Sequence, residues 1–199
     1  MNRRGFFKAS LSGTALSMLC LSAGRALASV QESVGRVEVG LVVWDGRMPA
    51  PENFAQEAEH LGLKKHRIDG DVSALWYQQL DPMWSTSSLV VAGITAIRPL
   101  FILEQMARDR NVRLALSVEH RPQLDGSTEH WIQAPASEID ALQLILRQES
   151  WPRLLAHYFR SGVGLSDRAS VVRVRCITPA ALGRSLAEVP LTSWVLAPV

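Results

Sequence analysis

Hydrophobic positions along the chain follow two different periods. Consecutive apolar or β-branched residues predict four strands, at 37–44, 64–69, 88–93 and 112–118. The run at 64–69 is the most polar of the four, so we place it toward a sheet edge. Between the strands, apolar residues recur every three or four positions, as at Phe54, Ala58 and Leu61, which predicts amphipathic helices.

Strands and helices alternate in this part of the chain, with connections short enough for βαβ units. We therefore predict an α/β fold with three layers, α-β-α, around a mostly parallel, flavodoxin- or Rossmann-like sheet. After His120 the pattern changes, because Asp125-Gly126 predicts a turn and the segment 130–133 is expected to return antiparallel to the fourth strand. This hairpin begins a predicted C-terminal antiparallel extension.

The extension contains two further helices and two further strands. Their predicted ranges are 137–146 and 151–159 for the helices, and 171–177 and 193–196 for the strands, with a short helix starting at Pro179. In the strand at 171–177, Val172, Val174 and Cys176 alternate with Arg173 and Arg175, which predicts one buried and one polar face.

The first 28 residues have the composition of an export signal. They contain no Asp or Glu, and three cations precede an uncharged stretch at 9–24. The segment ends in Ala26-Leu27-Ala28, the small-x-small pattern of a signal-peptidase site. We expect cleavage after Ala28, a flexible arm at 29–36 and a single α/β domain at 37–199.

Within this leader, the residues Asn2-Arg3-Arg4-Gly5-Phe6-Phe7-Lys8 resemble a twin-arginine export signal. The resemblance covers the leader alone. It implies a bacterial protein that the twin-arginine machinery exports, already folded, to the periplasm. Serine, threonine and glycine dilute the uncharged stretch, so we expect no stable membrane span after cleavage, with a retained anchor as the alternative.

Removal of the leader changes both charge and cysteine content. The full chain of 199 residues has a net charge of +2, but loss of the leader's four cations leaves 17 Lys and Arg against 19 Asp and Glu, a net charge of −2. Nucleic-acid binding depends on clustered cations and is therefore not expected. Leu19 fits poorly before a lipidated Cys20, and Cys176 alone remains, so no intramolecular disulfide can form.

Polar or glycine-containing turns follow the predicted strands. In open α/β sheets, ligands bind beyond the carboxyl ends of the strands, so these turns predict a ligand crevice. Its expected binding residues are Trp44, Asp45, Arg47, Gly93, Thr95, Glu119 and Arg121, and its candidate catalytic residues are Asp69, Asp71 and His120.

Asp69-Gly70-Asp71, followed by Val72 and Ser73, resembles the nucleophile loop of haloacid-dehalogenase-type phosphatases. The resemblance implies Asp69 as nucleophile, Asp71 as acid/base, Thr95 as phosphate ligand and a bound Mg²⁺. Ser73 departs from the family pattern, and the downstream acidic pair that would complete the metal site is missing. The alternative is a strand-ending aspartate followed by a helix N-cap.

Other motifs of cofactor, metal or nucleophile sites are incomplete. With residue 120 opposite residue 129, a hairpin would place His120 and Glu129 on one face and Glu119 and His130 on the other. Two ligands per face are too few for zinc, so we predict no metal site. The sequence contains none of the common phosphate-loop, dinucleotide or hydrolase motifs, and the cofactor stays unknown.

These observations favour an exported periplasmic protein that binds a small ligand or a partner protein. A role as accessory to a redox enzyme exported by the same route follows from the leader. The alternative is a hydrolase that uses acid/base residues at the strand ends.

Overall fold

The computed structural model describes residues 35–165, 170–180 and 189–199. The expected leader, almost all of the arm and the short helix expected after Pro179 lie outside these residues. The described residues from Arg36 onward belong to one compact unit.

Most predicted elements are present. The strands are β1 (Arg36–Val37), β2 (Val39–Asp45), β3 (Lys65–Ile68), β4 (Val90–Ala96), β5 (Val112–Pro122), β6 (Thr128–Pro135), β7 (Val163–Gly164), β8 (Val171–Thr178) and β9 (Leu191–Pro198). The α-helices are α1 (Pro49–His60), α2 (Ser73–Leu75), α3 (Asp81–Thr86), α4 (Ile97–Ala107), α5 (Ile139–Leu146) and α6 (Trp151–Arg160). A π-helical turn, Trp76–Leu80, joins α2 to α3, and 3-10 turns at Arg108–Arg110 and Ala136–Glu138 follow α4 and precede α5.

Local sequence explains the limits of α1. Pro49 is its first residue and Pro51 also lies in its first turn, where a missing N–H costs no hydrogen bond. Phe54 and Ala58 form part of its buried face, one helical turn apart. Gly62 then adopts the left-handed region at φ 72°, and its N–H bonds to the Glu59 carbonyl at 3.0 Å, which ends the helix.

The sheet contradicts the predicted flavodoxin- or Rossmann-like layout. Its seven strands have the order β3-β2-β4-β9-β5-β6-β8, and β1 and β7 form a separate antiparallel pair. Within the large sheet only β2–β3 and β2–β4 are parallel, whereas the four remaining pairs are antiparallel. The sheet is therefore mixed and mostly antiparallel.

The C-terminal strand is the physical reason for this correction. β9 inserts between β4 and β5 and pairs antiparallel with both, so the fourth predicted strand never meets the third. Seven of its eight residues are buried, as expected of a central strand with both faces covered. Gly93 makes the insertion sterically possible, since a Cβ there would lie 2.6 Å from the Trp194 ring and from the Val43 carbonyl oxygen.

Helices pack against both faces of the sheet. Helices α1, α5 and α6 contribute Phe54, Leu142 and Phe159 to the core on one face, while α4 and the π-helical turn contribute Leu100 and Trp76 to the core on the other. The second face is covered only over β2, β4 and β9 and the start of β5. Farther along the sheet, this face of β6 and β8 carries partly or fully exposed side chains.

Candidate functional site

A cleft of about 630 Å³ lies at the carboxyl ends of the three parallel strands. It is positioned by the fold, because β2 has β3 on one side and β4 on the other and their following loops converge there. Its lining residues are Arg47, Asp69, Gly70, Asp71, Ala96, Ile97, Arg98, Pro99, Val189 and Pro190.

Beneath the cleft, Asp45 forms an ion pair with Arg47. The Asp45 side chain is fully buried, while that of Arg47 is 51% exposed. The Arg47 guanidinium donates from Nε to Asp45 Oδ1 at 2.8 Å and from Nη2 to Oδ2 at 2.6 Å. It also crosses Gly70, where a Cβ would lie 2.6 Å from its Cζ atom. This bidentate geometry holds Arg47 as part of the cleft wall.

The two aspartates of the D-x-D segment are engaged locally. Asp69 is 64% exposed and accepts hydrogen bonds from Arg67 Nε at 3.2 Å and Nη2 at 3.1 Å. Asp71 Oδ1 accepts the backbone N–H of Ser73 at 2.9 Å, and this hydrogen bond lowers the pKa of Asp71. Asp71 therefore bonds the chain at the start of α2, close to the helix-capping role that was the alternative to the phosphatase resemblance.

Thr95 lies below the cleft and does not line it. It is fully buried, its hydroxyl donates to the Ala96 carbonyl at 2.8 Å, and it accepts the Trp194 indole N–H at 3.1 Å. The space beside the neighbouring Gly93 is likewise filled by the Trp194 ring. Neither residue is positioned to contact a ligand.

These residues do not fit a bound Mg²⁺. Arg67 is paired with Asp69, the Ser73 N–H bonds one oxygen of Asp71, and the Thr95 hydroxyl is buried. Arg47 and Arg98 line the same cleft, and their guanidinium groups repel a cation. Among the described residues, no three or more His, Cys, Asp or Glu side chains are grouped so that they could hold a metal ion. We derive no phosphoryl-transfer step from the resemblance.

Arg98 is the residue at the cleft that the sequence reasoning missed. It is exposed in the first turn of α4, and no described carboxylate lies within ion-pair distance of it. No side chain caps this helix, whose N-cap residue is Ala96. A cation at a helix N-terminus opposes the helix dipole, and that mismatch is a signal the sequence already contained.

Trp44 points into the core and away from the cleft. It is only 8% exposed and belongs to the apolar cluster that includes Phe54. Its indole N–H donates to Glu52 at 3.3 Å, and the Lys65 ammonium lies 5.4 Å from its ring centroid.

The end of β5 is separated from the cleft by β9. Glu119 and Arg121 form an ion pair with each other on the open face of β5 and β6. His120 points to the opposite face and is 1% exposed. Of the predicted site residues, the structure therefore brings Arg47, Asp69 and Asp71 to the cleft, with Asp45 and Thr95 directly beneath.

His120 instead belongs to a buried hydrogen-bonded chain. Register pairs it with His130, one residue beyond the pairing considered from the sequence, and the two Nδ1 atoms lie 2.7 Å apart. His120 Nε2 lies 2.6 Å from the Ser193 hydroxyl, and His130 Nε2 lies 2.7 Å from that of Thr178. Trp151 stacks on His120 with ring centroids 4.0 Å apart.

Counting donors and acceptors shows which atoms carry hydrogen in this series of hydrogen bonds. Thr178 donates its hydroxyl hydrogen to the Leu146 carbonyl, so its oxygen must accept from His130 Nε2–H. His130 Nδ1 then accepts from His120 Nδ1–H, and His120 Nε2 accepts the Ser193 hydroxyl hydrogen. Both imidazoles are neutral, and burial lowers the pKa of His130 to about 4 and that of His120 well below its usual range.

Although a serine hydroxyl that donates to an imidazole is the arrangement of an activated nucleophile, Ser193 is fully buried here. Ser193 does not line the cleft, so this buried series of hydrogen bonds fits a structural role.

None of the described helices is long and apolar enough to cross a membrane. Comparison with protein-family models, with curated proteins and with solved structures finds no match for this chain.

Proposed function

We propose that this protein is an exported periplasmic binding protein whose cleft takes a small ligand with an anionic group. The observation that carries the proposal is the guanidinium of Arg98 at the mouth of a cleft of about 630 Å³, with no carboxylate of the described residues within ion-pair distance of it. That volume is within the usual range for small-molecule sites, about 300–1,000 Å³.

The cleft is lined by charged and by apolar side chains, and together they indicate which ligand fits. Arg98 supplies the positive charge that favours a carboxylate or a phosphate, and Arg47, whose charge Asp45 balances, adds exposed N–H donors. Asp69 and Asp71 also line the cleft, but Arg67 pairs with Asp69 and the Ser73 N–H bonds Asp71. Ile97, Val189 and Pro190 supply apolar surface. A small molecule with an acid group at one end and a hydrocarbon portion at the other satisfies both.

Binding is better supported than hydrolysis. The candidate nucleophile Asp69 is paired with Arg67, and the candidate base His120 lies on the far side of β9. No described imidazole lines the cleft to accept a proton from a water molecule there.

The test of the ligand site is titration with simple anions. Inorganic phosphate, acetate and hexanoate are titrated by calorimetry into the wild type and into Arg98→Gln. We expect about a tenfold weaker affinity in the variant, since one charge-assisted contact is lost, and hexanoate should bind more tightly than acetate. Arg153→Gln is the matched control, because Arg153 is also exposed but does not line the cleft. Equal affinities in wild type and Arg98→Gln would refute the site.

Export is proposed from the leader and is tested separately. Replacing Arg3 and Arg4 together by lysine should keep the precursor in the cytoplasm, because the paired arginines are what the twin-arginine machinery recognises. Cell fractionation measures this. A periplasmic product from the double-lysine variant would contradict the proposed route.

A further inference from the structure

β8 forms one edge of the seven-stranded sheet. It pairs with β6 and, among the described residues, with no strand on its other side. Its eight residues contain no proline, which would remove a backbone donor, and its only charged side chains, Arg173 and Arg175, are both cationic. The edge is therefore a backbone surface suited to a further strand.

A second observation marks the same edge. A pocket of about 430 Å³ is lined by Arg147, Arg175, Cys176, Ile177 and Pro179. It joins the end of α5 to the second half of β8. Two of its five lining residues are arginines and none is acidic.

The two arginines differ in how they are paired. Arg175 forms an ion pair with Glu129 at 2.7 Å and is 54% exposed. Arg147 is exposed, and no described carboxylate lies within ion-pair distance of it. The pocket thus has one cationic group, Arg147, whose charge no described residue neutralises.

Apolar side chains flank the pocket along the strand. Ile177 and Val171 are 45% and 46% exposed, and Val172 is 37% exposed. An added strand would cover these side chains as well as the backbone edge.

We propose that the edge of β8 binds an extended, acidic segment of a partner protein by strand addition. The backbone of that segment pairs with β8, and one of its carboxylates pairs with Arg147, because the Arg175 side chain is held by Glu129 on the opposite face of the strand. Pairing of this kind draws its affinity from main-chain hydrogen bonds and its specificity from pockets for alternate side chains. This surface is separate from the ligand cleft and would be the site at which an accessory protein binds its partner.

A second copy of the chain is a poor occupant of this edge. In a two-fold antiparallel pair centred on Val174, the middle of the arginine-bearing segment, Arg173 of one copy would lie opposite Arg175 of the other on the same face. Like charges in that position destabilise a strand pair.

Binding of short peptides to the purified full chain tests the proposal. The probe is a seven-residue peptide, blocked at both ends, that alternates glutamate and valine. Its controls are the same peptide with lysine for glutamate and one with proline at the central valine. Fluorescence anisotropy measures affinity, and amide hydrogen exchange locates the bound segment.

We expect the glutamate peptide to bind and to protect amides of β8 from exchange. Arg147→Gln should weaken binding by about tenfold through loss of one charge-assisted contact, and Arg153→Gln should leave it unchanged. Both control peptides should fail, since one reverses the charge and the other removes a strand donor.

Three results would overturn the proposal. They are equal binding of the lysine peptide, protection confined to residues outside β8, and a dimer of the chain that protects β8 without any peptide. Absence of binding by the glutamate peptide at millimolar concentration counts equally against it.

Discussion

Acidification should destabilise this protein through His120 and His130. Both imidazoles are neutral and buried, and burial holds their pKa values below the ordinary value, with that of His130 at about 4. The hydroxyls of Ser193 and Thr178 are their partners, and neither hydroxyl neutralises an imidazolium. Protonation of His130 would also break the bond between the two Nδ1 atoms, because both would then carry hydrogen. Protonation of His120 would remove the acceptor of the Ser193 hydroxyl hydrogen.

The sign and size of the effect follow from proton linkage. In the unfolded chain a histidine has a pKa of about 6.5. The free energy of unfolding is therefore highest above that pH and falls as the pH drops below it. The unfolded chain binds protons there, whereas the buried histidines of the folded chain do not. For His130 the fall ends near pH 4. Between pH 7 and pH 5 His130 contributes a loss of about 2 kcal/mol, and His120 adds a loss of the same sign.

Urea unfolding at pH 7, 6 and 5 measures this loss. The double variant His120→Gln/His130→Gln keeps an amide donor and acceptor at each position but cannot titrate. We expect it to be less stable than the wild type at pH 7 and to lose much less stability on acidification. His60→Gln is the control, because His60 is exposed. Equal pH dependence in wild type and double variant would refute the assignment of the acid sensitivity to this pair.

Two further predictions concern packing and buried charge. Gly93→Ala should destabilise the fold by about 1–3 kcal/mol, because the new methyl group would lie 2.6 Å from the Trp194 ring and from the Val43 carbonyl oxygen. Thermal unfolding measures the loss, and an unchanged melting temperature would contradict the prediction. Arg47→Ala should cost about 3 kcal/mol, because it leaves the Asp45 carboxylate buried without its cation. Asp45→Asn/Arg47→Ala should recover part of that loss in urea unfolding, and no recovery would show that the charge is not its cause.

Local elements could be predicted from the sequence because their causes are local. The helical period of α1, its proline in the first turn and Gly62 after its end depend on neighbouring residues. The strand at 171–177 was predicted from its alternation and extends to 178 in the structure. The hairpin of β5 and β6 was also predicted, but its register was wrong by one residue, and that single step placed both histidines on the buried face.

The candidate site could be predicted only in part for a related reason. Arg47, Asp69 and Asp71 follow β2 and β3, which are neighbours in the parallel part of the sheet, so they reach one cleft. Glu119, His120 and Arg121 were expected there because β5 was expected beside β4. Whether a turn residue faces a ligand depends on which strands are neighbours, and neighbouring strands can be distant in sequence.

By itself, therefore, the sequence determined where most of the helices and strands lie and where several of them end. The export leader is a prediction from the sequence and lies outside the described residues. Only the tertiary structure decided the order of the strands. β9 carries apolar residues on both faces, which is compatible with a buried central position but does not specify its neighbours. The match of Trp194 with the space above Gly93 places it between β4 and β5, because packing against a particular partner depends on contacts between segments about a hundred residues apart.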